Sequence, residues 1–243
     1  GLAREHPSML VSWTTHAVAQ VTIHDLSTGE QIGEVELPGI GTISGMSGHP
    51  EGGHEVWFSY TDHATIPRVM KFDALTGELT VDAYPPGFVA VPRISATMKV
   101  CRSKDGTEVR LMVLEPIEFD GNPPDSPRPT VLYGYGGFGV SMAPSYSPSI
   151  LAWVEAGGVY TIACLRGGNE EGEWWHRDGM LGKKQNVFDD FIACAQWLLD
   201  NQWTTPEQLV ISGGSNGGLL VGAVMTQRPE LFAGVHCSAP LLD

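Results

Sequence analysis

The sequence has 243 residues, 42% apolar and 17% charged, with a formal net charge of −14. That balance supports a packed core and argues against disorder. The acid excess, with no basic stripe, argues against a nucleic-acid binder; no apolar run approaches the roughly 18 residues that a membrane span needs.

The chain opens Gly-Leu-Ala-Arg-Glu-His-Pro, without the apolar stretch of a signal peptide. Up to about residue 88 it reads as short strands between turns. Val21–Ile23 precedes Asp25-Leu-Ser-Thr-Gly-Glu30, and Glu34–Leu37 follows it. Val69–Lys71 precedes Asp73-Ala-Leu-Thr-Gly-Glu78, and Leu79–Val81 follows it. The two copies of Asp-x-x-Thr-Gly-Glu start 48 residues apart. Such turns use Gly for positive φ and Asp and Thr side chains for local backbone bonds. A period near 50 with several strands per unit suggests propeller blades.

From about residue 89 the pattern changes. Ser103–Thr107 reads as a hairpin turn between strands at Ala96–Cys101 and Glu108–Leu114, and Phe119–Pro129 as a surface loop. Short buried strands are expected at Thr130–Tyr133, Val159–Cys164, Leu209–Ser212 and Gly234–Ser238. Amphipathic periodicity predicts a helix over Asn186–Asp200, with Phe188, Phe191, Ile192, Ala195, Leu198 and Leu199 on one face. A second helix is expected over Asn216–Gln227, ending before Arg228-Pro229. Strand–helix alternation implies a mostly parallel sheet with helices on both faces.

Gly213-Gly-Ser-Asn-Gly-Gly218 contains Gly-x-Ser-x-Gly after an expected strand and before an expected helix, which is the context of a nucleophile elbow. Gly213 and Gly217 would give clearance, Ser215 would project its hydroxyl, and the Asn216 N–H would point at a developing oxyanion. A phosphate loop is ruled out because no Gly-Lys-Ser/Thr follows. Cys101, Cys164, Cys194 and Cys237 form no Cys-x-x-Cys pair and read as buried free thiols, which suits a reducing, cytoplasmic setting. The histidines do not cluster with Cys or carboxylates at ligand spacing, and no metal or cofactor is expected. Trp174 and Trp175 read as packing residues ahead of the helix, His176 as structural, and Asp189 and Asp190 as first-turn acids favoured by the macrodipole.

Leu132-Tyr-Gly-Tyr-Gly-Gly-Phe138 lies 77 residues before the nucleophile, counted from Phe138. With Leu165-Arg-Gly-Gly168, Trp175-His176, Lys184–Phe191 and the elbow, it closely resembles the prolyl oligopeptidase family. The resemblance implies the C-terminal part of a β-propeller over residues 1–88, then the N-terminal part of an α/β-hydrolase domain over residues 89–243. It further implies a serine endopeptidase that cuts short peptides after proline. Tyr135 would be the side-chain donor of the oxyanion hole beside the Asn216 N–H, and Phe138 and Leu241 would line the proline pocket. Relatives that cut after Arg or Lys tend to carry Ala after the nucleophile, so Asn216 and Phe138 favour proline. That alternative, a non-catalytic peptide-binding module and a peptide cyclase stay open.

The triad order Ser, Asp or Glu, His leaves the chain without its base. His236 falls inside an expected strand, and Asp243 matches a position that is not the triad acid. The chain by itself is therefore expected to be nearly inactive, its partner being the remaining segments of its own peptidase.

Overall fold

The computed structural model describes residues 7–87 and 90–242. The first six residues, Asp243 and the expected boundary near residue 88 lie outside the described residues. The chain divides into two compact units, Gly1–Val91 with Ala143–Ser147, and Pro92–Met142 with Pro148–Asp243.

The first unit holds two antiparallel sheets. β1 (Ser8–Thr15), β2 (Val18–Asp25) and β3 (Gln31–Val35) form one; β4 (Gly41–Gly48), β5 (Glu55–Asp62), β6 (Arg68–Asp73) and β7 (Glu78–Ala83) form the other. Strand alternation turns Val21, Ile23, Phe58, Tyr60, Met70 and Phe72 into one shared apolar core. The two Asp-x-x-Thr-Gly-Glu segments fold alike, one between β2 and β3 and one between β6 and β7. Asp25 Oδ1 accepts the N–H of Ser27 at 2.8 Å and of Thr28 at 3.0 Å. Asp73 Oδ1 accepts the N–H of Leu75 at 2.8 Å and of Thr76 at 3.4 Å. Gly29 at φ 75° and Gly77 at φ 76° close the turns by donating to Asp25 O and Asp73 O, each at 2.8 Å. The turn chemistry thus fixes both hairpins at corresponding positions. Within this unit, the segment 143–147 is tied in where Thr42 Oγ1 donates to Pro144 O at 2.7 Å.

The second unit is a six-stranded sheet in the order β13-β12-β10-β11-β9-β8. Its strands are β8 (Ile94–Arg102), β9 (Glu108–Pro116), β10 (Thr130–Tyr133), β11 (Val159–Cys164), β12 (Leu209–Gly214) and β13 (Gly234–Ser238). β10 to β13 run parallel, and the β8–β9 hairpin adds antiparallel to β11. The helices are α1 (Pro148–Glu155), α2 (Glu173–Arg177), α3 (Gln185–Asp200) and α4 (Asn216–Gln227). α1 covers one face over Met112 and Leu114 of β9, while α3 and α4 cover the other over Val109, Leu111 and Val113. The expected partial α/β-hydrolase sheet with helices on both faces, preceded by blade-like strands, is what forms.

Three local expectations need correction. Cys237 is exposed, because it sits on β13, which ends the sheet and has no neighbour beyond it among the described residues. The other three cysteines are buried, with Cys101 and Cys194 sulfurs 3.2 Å apart. Trp174 and Trp175 form part of α2, and they differ: Trp175 is buried, whereas Trp174 is 55% exposed, because neighbouring residues of a helix point to different sides. Asp189 and Asp190 both lie in the second turn of α3, and Asp190 is fully buried against Arg166, so the macrodipole is not what holds it. Among the described residues no helix is long and apolar enough to cross a membrane.

Candidate active site

β10 lies between β11 and β12, so the chain leaves it for one neighbour and later returns to the other side. The loop after β10 leads to α1 on one face, and the loop after β12 leads into α4 on the opposite face. A crevice therefore opens at the carboxyl ends of β10 and β12, the place where open α/β sheets bind ligands. Tyr135 leaves the end of β10 and Ser215 leaves the end of β12.

Ser215 has φ 55° and ψ −117°, a conformation that L side chains rarely adopt, and it is exposed. Its N–H donates to Ser238 O at 2.9 Å, and its carbonyl accepts from Gly218 N at 2.9 Å and Leu219 N at 3.2 Å. The strained residue is thus held from both sides, the usual condition for strain to persist at a functional position. The flanking glycines are sterically required. A Cβ on Gly213 would stand 2.1 Å from Gly217 O, and one on Gly217 would stand 2.6 Å from Gly134 O. Gly213→Ala is therefore expected to force the turn open: the variant should lose serine-directed labelling at residue 215 and melt several degrees lower, read by differential scanning calorimetry.

Asn216 is the first residue of α4, so its N–H has no acceptor within the helix and points out of the N-terminus beside Ser215. Its side chain, on a residue only 4% exposed, turns toward the loop after β10. Nδ2 donates to Tyr135 O at 2.6 Å, and Oδ1 accepts from Lys184 Nζ at 3.1 Å. Lys184 Nζ also donates to Gly136 O at 2.7 Å, and burial lowers its pKa. Gly137 packs against the same amide; a Cβ there would meet Asn216 Nδ2 at 2.4 Å.

The loop after β11 is built round Arg166, which is 2% exposed. Its Nη2 reaches Asp190 Oδ1 at 2.6 Å, its Nε reaches Asp190 Oδ2 at 3.0 Å, and its backbone N–H reaches the same Oδ2 at 3.1 Å. Its Nη1 reaches Asp105 Oδ2, in the β8–β9 turn, at 2.6 Å. The bond from Arg166 pulls the half-exposed Asp105 carboxyl down to about 2. Next along the loop, Gly167 O accepts from Gly139 N at 2.9 Å and shares a 3.0 Å hydrogen bond with His176 Nδ1. Glu170 Oε1 accepts Met142 N–H at 2.9 Å, and burial, the largest cause, pushes its carboxyl up to about 7. Arg166 and Lys184 lie in the Leu165–Gly168 and Lys184–Phe191 segments that carry the resemblance and Glu170 lies in neither, but local sequence does not show what any of the three touches.

Phe138, at φ 54° and 75% exposed, borders a cavity of about 440 Å³ lined also by His176, Met180, Leu181, Lys184 and Leu219. Leu241 is 53% exposed and is not among that cavity's lining residues. A second hollow of about 540 Å³, lined by Cys101, Ile192 and Trp197, shares no residue with the crevice. His236 Nδ1 shares a 3.0 Å hydrogen bond with Ser212 Oγ on the neighbouring strand, which agrees with its reading as a strand residue and not a base for Ser215.

The prolyl oligopeptidase family model matches residues 144–243. The prolyl endopeptidase of Elizabethkingia miricola is 38% identical over 227 residues, covering 93% of this chain and 32% of its own length. A structure from a structural and mechanistic analysis of two prolyl endopeptidases superposes with a TM-score of 0.85 at 40% identity, over 100% of this chain and 35% of that one. Prolyl oligopeptidase B of Galerina marginata, solved with a 35mer hydrolysis and macrocyclization substrate, gives a TM-score of 0.84 at 25% identity, over 97% of this chain and 33% of that one. The chain spans about a third of the length of the curated relatives it matches.

Proposed function

We propose that this chain, which belongs to the prolyl oligopeptidase family, is the nucleophile-bearing part of a serine peptidase that cuts short peptides on the carboxyl side of proline. The observation that carries this reading is Ser215, exposed and strained at the carboxyl end of β12, with the Tyr135 loop pinned against it by the Asn216 side chain.

Ser215 Oγ attacks the carbonyl carbon of the proline residue, and the charge that develops on oxygen rests on the Asn216 N–H and the Tyr135 hydroxyl. The C–N bond then breaks, the amine leaves with the proton taken from Ser215, and water hydrolyses the ester. The histidine that carries the proton, and the acid that orients it, come from polypeptide beyond these 243 residues. Phe138 and Leu241 belong to the wall that receives the proline ring. Residues 1–88 act as the last part of a propeller that restricts entry to short peptides, and residues 89–243 as the first part of the peptidase domain. The three buried thiols fit a reducing, cytoplasmic compartment.

The test is turnover by the complete polypeptide on matched short peptides with Pro, Arg or Lys before the cut. Cleavage after Pro at kcat/KM at least about a hundredfold above the basic peptides is expected. Preference for Arg or Lys would overturn the assignment of specificity, and binding of all three without cleavage would overturn the peptidase reading.

A further inference from the structure

We infer that Lys184 is a positioning residue of the reaction: it clamps the oxyanion loop to the nucleophile helix through Gly136 and Asn216. The inference rests on the peptidase reading above and adds a residue that makes no contact with the reacting atoms.

Three observations carry it. Lys184 Nζ donates both to Gly136 O at 2.7 Å and to Asn216 Oδ1 at 3.1 Å. A lysine head group has donors only, so it dictates which end of the Asn216 amide faces it. Nδ2 is thereby left to face Tyr135 O, 2.6 Å away. The same amide fills the space that the missing Cβ of Gly137 leaves. Tyr135, Gly136 and Gly137 are each fixed at the backbone, two of them by hydrogen bonds that trace to Lys184.

The position of Lys184 makes the clamp stiff. It stands at the residue before α3, immediately after the short 3₁₀ turn Leu181–Lys183, and it lines the 440 Å³ cavity. Taking a lysine head group out of water costs free energy, which its carbonyl partners offset only where its geometry is held. Without it, Gly136 O and Asn216 Oδ1 lose their donor, the amide is free to rotate, and the Tyr135 hydroxyl is no longer held where charge develops. Misplacement of a donor acts on the transition state more than on the bound substrate.

The experiment uses the complete polypeptide as wild type, Lys184→Met, Asn216→Ala and the Lys184→Met/Asn216→Ala pair, with Ser215→Ala as reference. Lys184→Met removes the donors and keeps the stem; Asn216→Ala keeps the backbone N–H and removes the clamp from its other end. Each single variant is expected to lower kcat about ten- to a hundredfold with KM within about twofold. The double variant should lose little more than the worse single one, as residues acting through one device do. Deuterium exchange of the backbone amides in 134–140 should quicken in both single variants.

Wild-type kcat in both single variants, additive losses in the double, or a rise in KM alone overturns the role of Lys184. Should Lys184→Met fail to fold, Asn216→Ala with the exchange measurement decides the same question. Wild-type turnover that survives Ser215→Ala overturns the peptidase reading instead, and the exchange arm then judges the clamp separately.

Discussion

Ser215→Ala is expected to reduce peptide turnover by the complete polypeptide about 10⁴-fold or more and to abolish covalent labelling by a serine-directed phosphonate. The fold should survive, since Ser215 donates its backbone N–H, not its hydroxyl, to Ser238 O. Ser215→Gly separates strain from chemistry. It is equally inactive, but glycine accepts φ 55° without the cost that a Cβ brings. Backbone held in such a region costs of order 1–3 kcal/mol, so the glycine variant should unfold at higher denaturant than the alanine one. A kcat within tenfold of wild type for Ser215→Ala would remove Ser215 as the nucleophile. Equal denaturation midpoints for the two variants would show that the elbow stores no strain.

Asp190→Ala is expected to cost about 3–5 kcal/mol of stability in the second unit. Asp190 is fully buried and takes Arg166 in four contacts: its Oδ1 accepts from Nη2 and Nε, and its Oδ2 from Nε and the backbone N–H. Removing it leaves Arg166, 2% exposed, with Asp105 and Ser103 as its remaining side-chain partners among the described residues. Asp105→Asn should cost far less, because that carboxylate is 47% exposed and water screens its pairing. The contrast is read from urea unfolding followed by the fluorescence of buried Trp175 and Trp203, which sit in the same core as α3. Comparable losses for the two substitutions would mean that the β8–β9 hairpin holds Arg166 as firmly as α3 does.

The Arg166 network also explains why activity should fall with stability in these variants. Gly167, the next residue, anchors Gly139 and His176. The loop that carries Phe138 is therefore tied to β11, and a loosened Arg166 releases it. This is one body of packed glycine turns, and it is fixed from α3, α4 and the β8–β9 hairpin together.

What the sequence determined by itself was local. Thr130–Tyr133, Val159–Cys164, Gly234–Ser238 and the helix Asn216–Gln227 form where their apolar runs, glycines and Arg228-Pro229 stop place them. The repeated Asp-x-x-Thr-Gly-Glu turns close as their side chains require, and Gly-x-Ser-x-Gly bends at Ser215 because only glycine fits beside it. Each of these signals lies within a few residues of its effect, so periodicity and turn chemistry suffice to read it. Tertiary structure alone decided that β10 lies between β11 and β12 and that Asp190 faces Arg166 and not a helix end. It also alone brought Lys184 to Gly136, 48 residues away in sequence. Those outcomes depend on which distant segments pair and which charged groups are taken out of water together. A buried charge finds its partner only after the sheet and helices have brought both to one place.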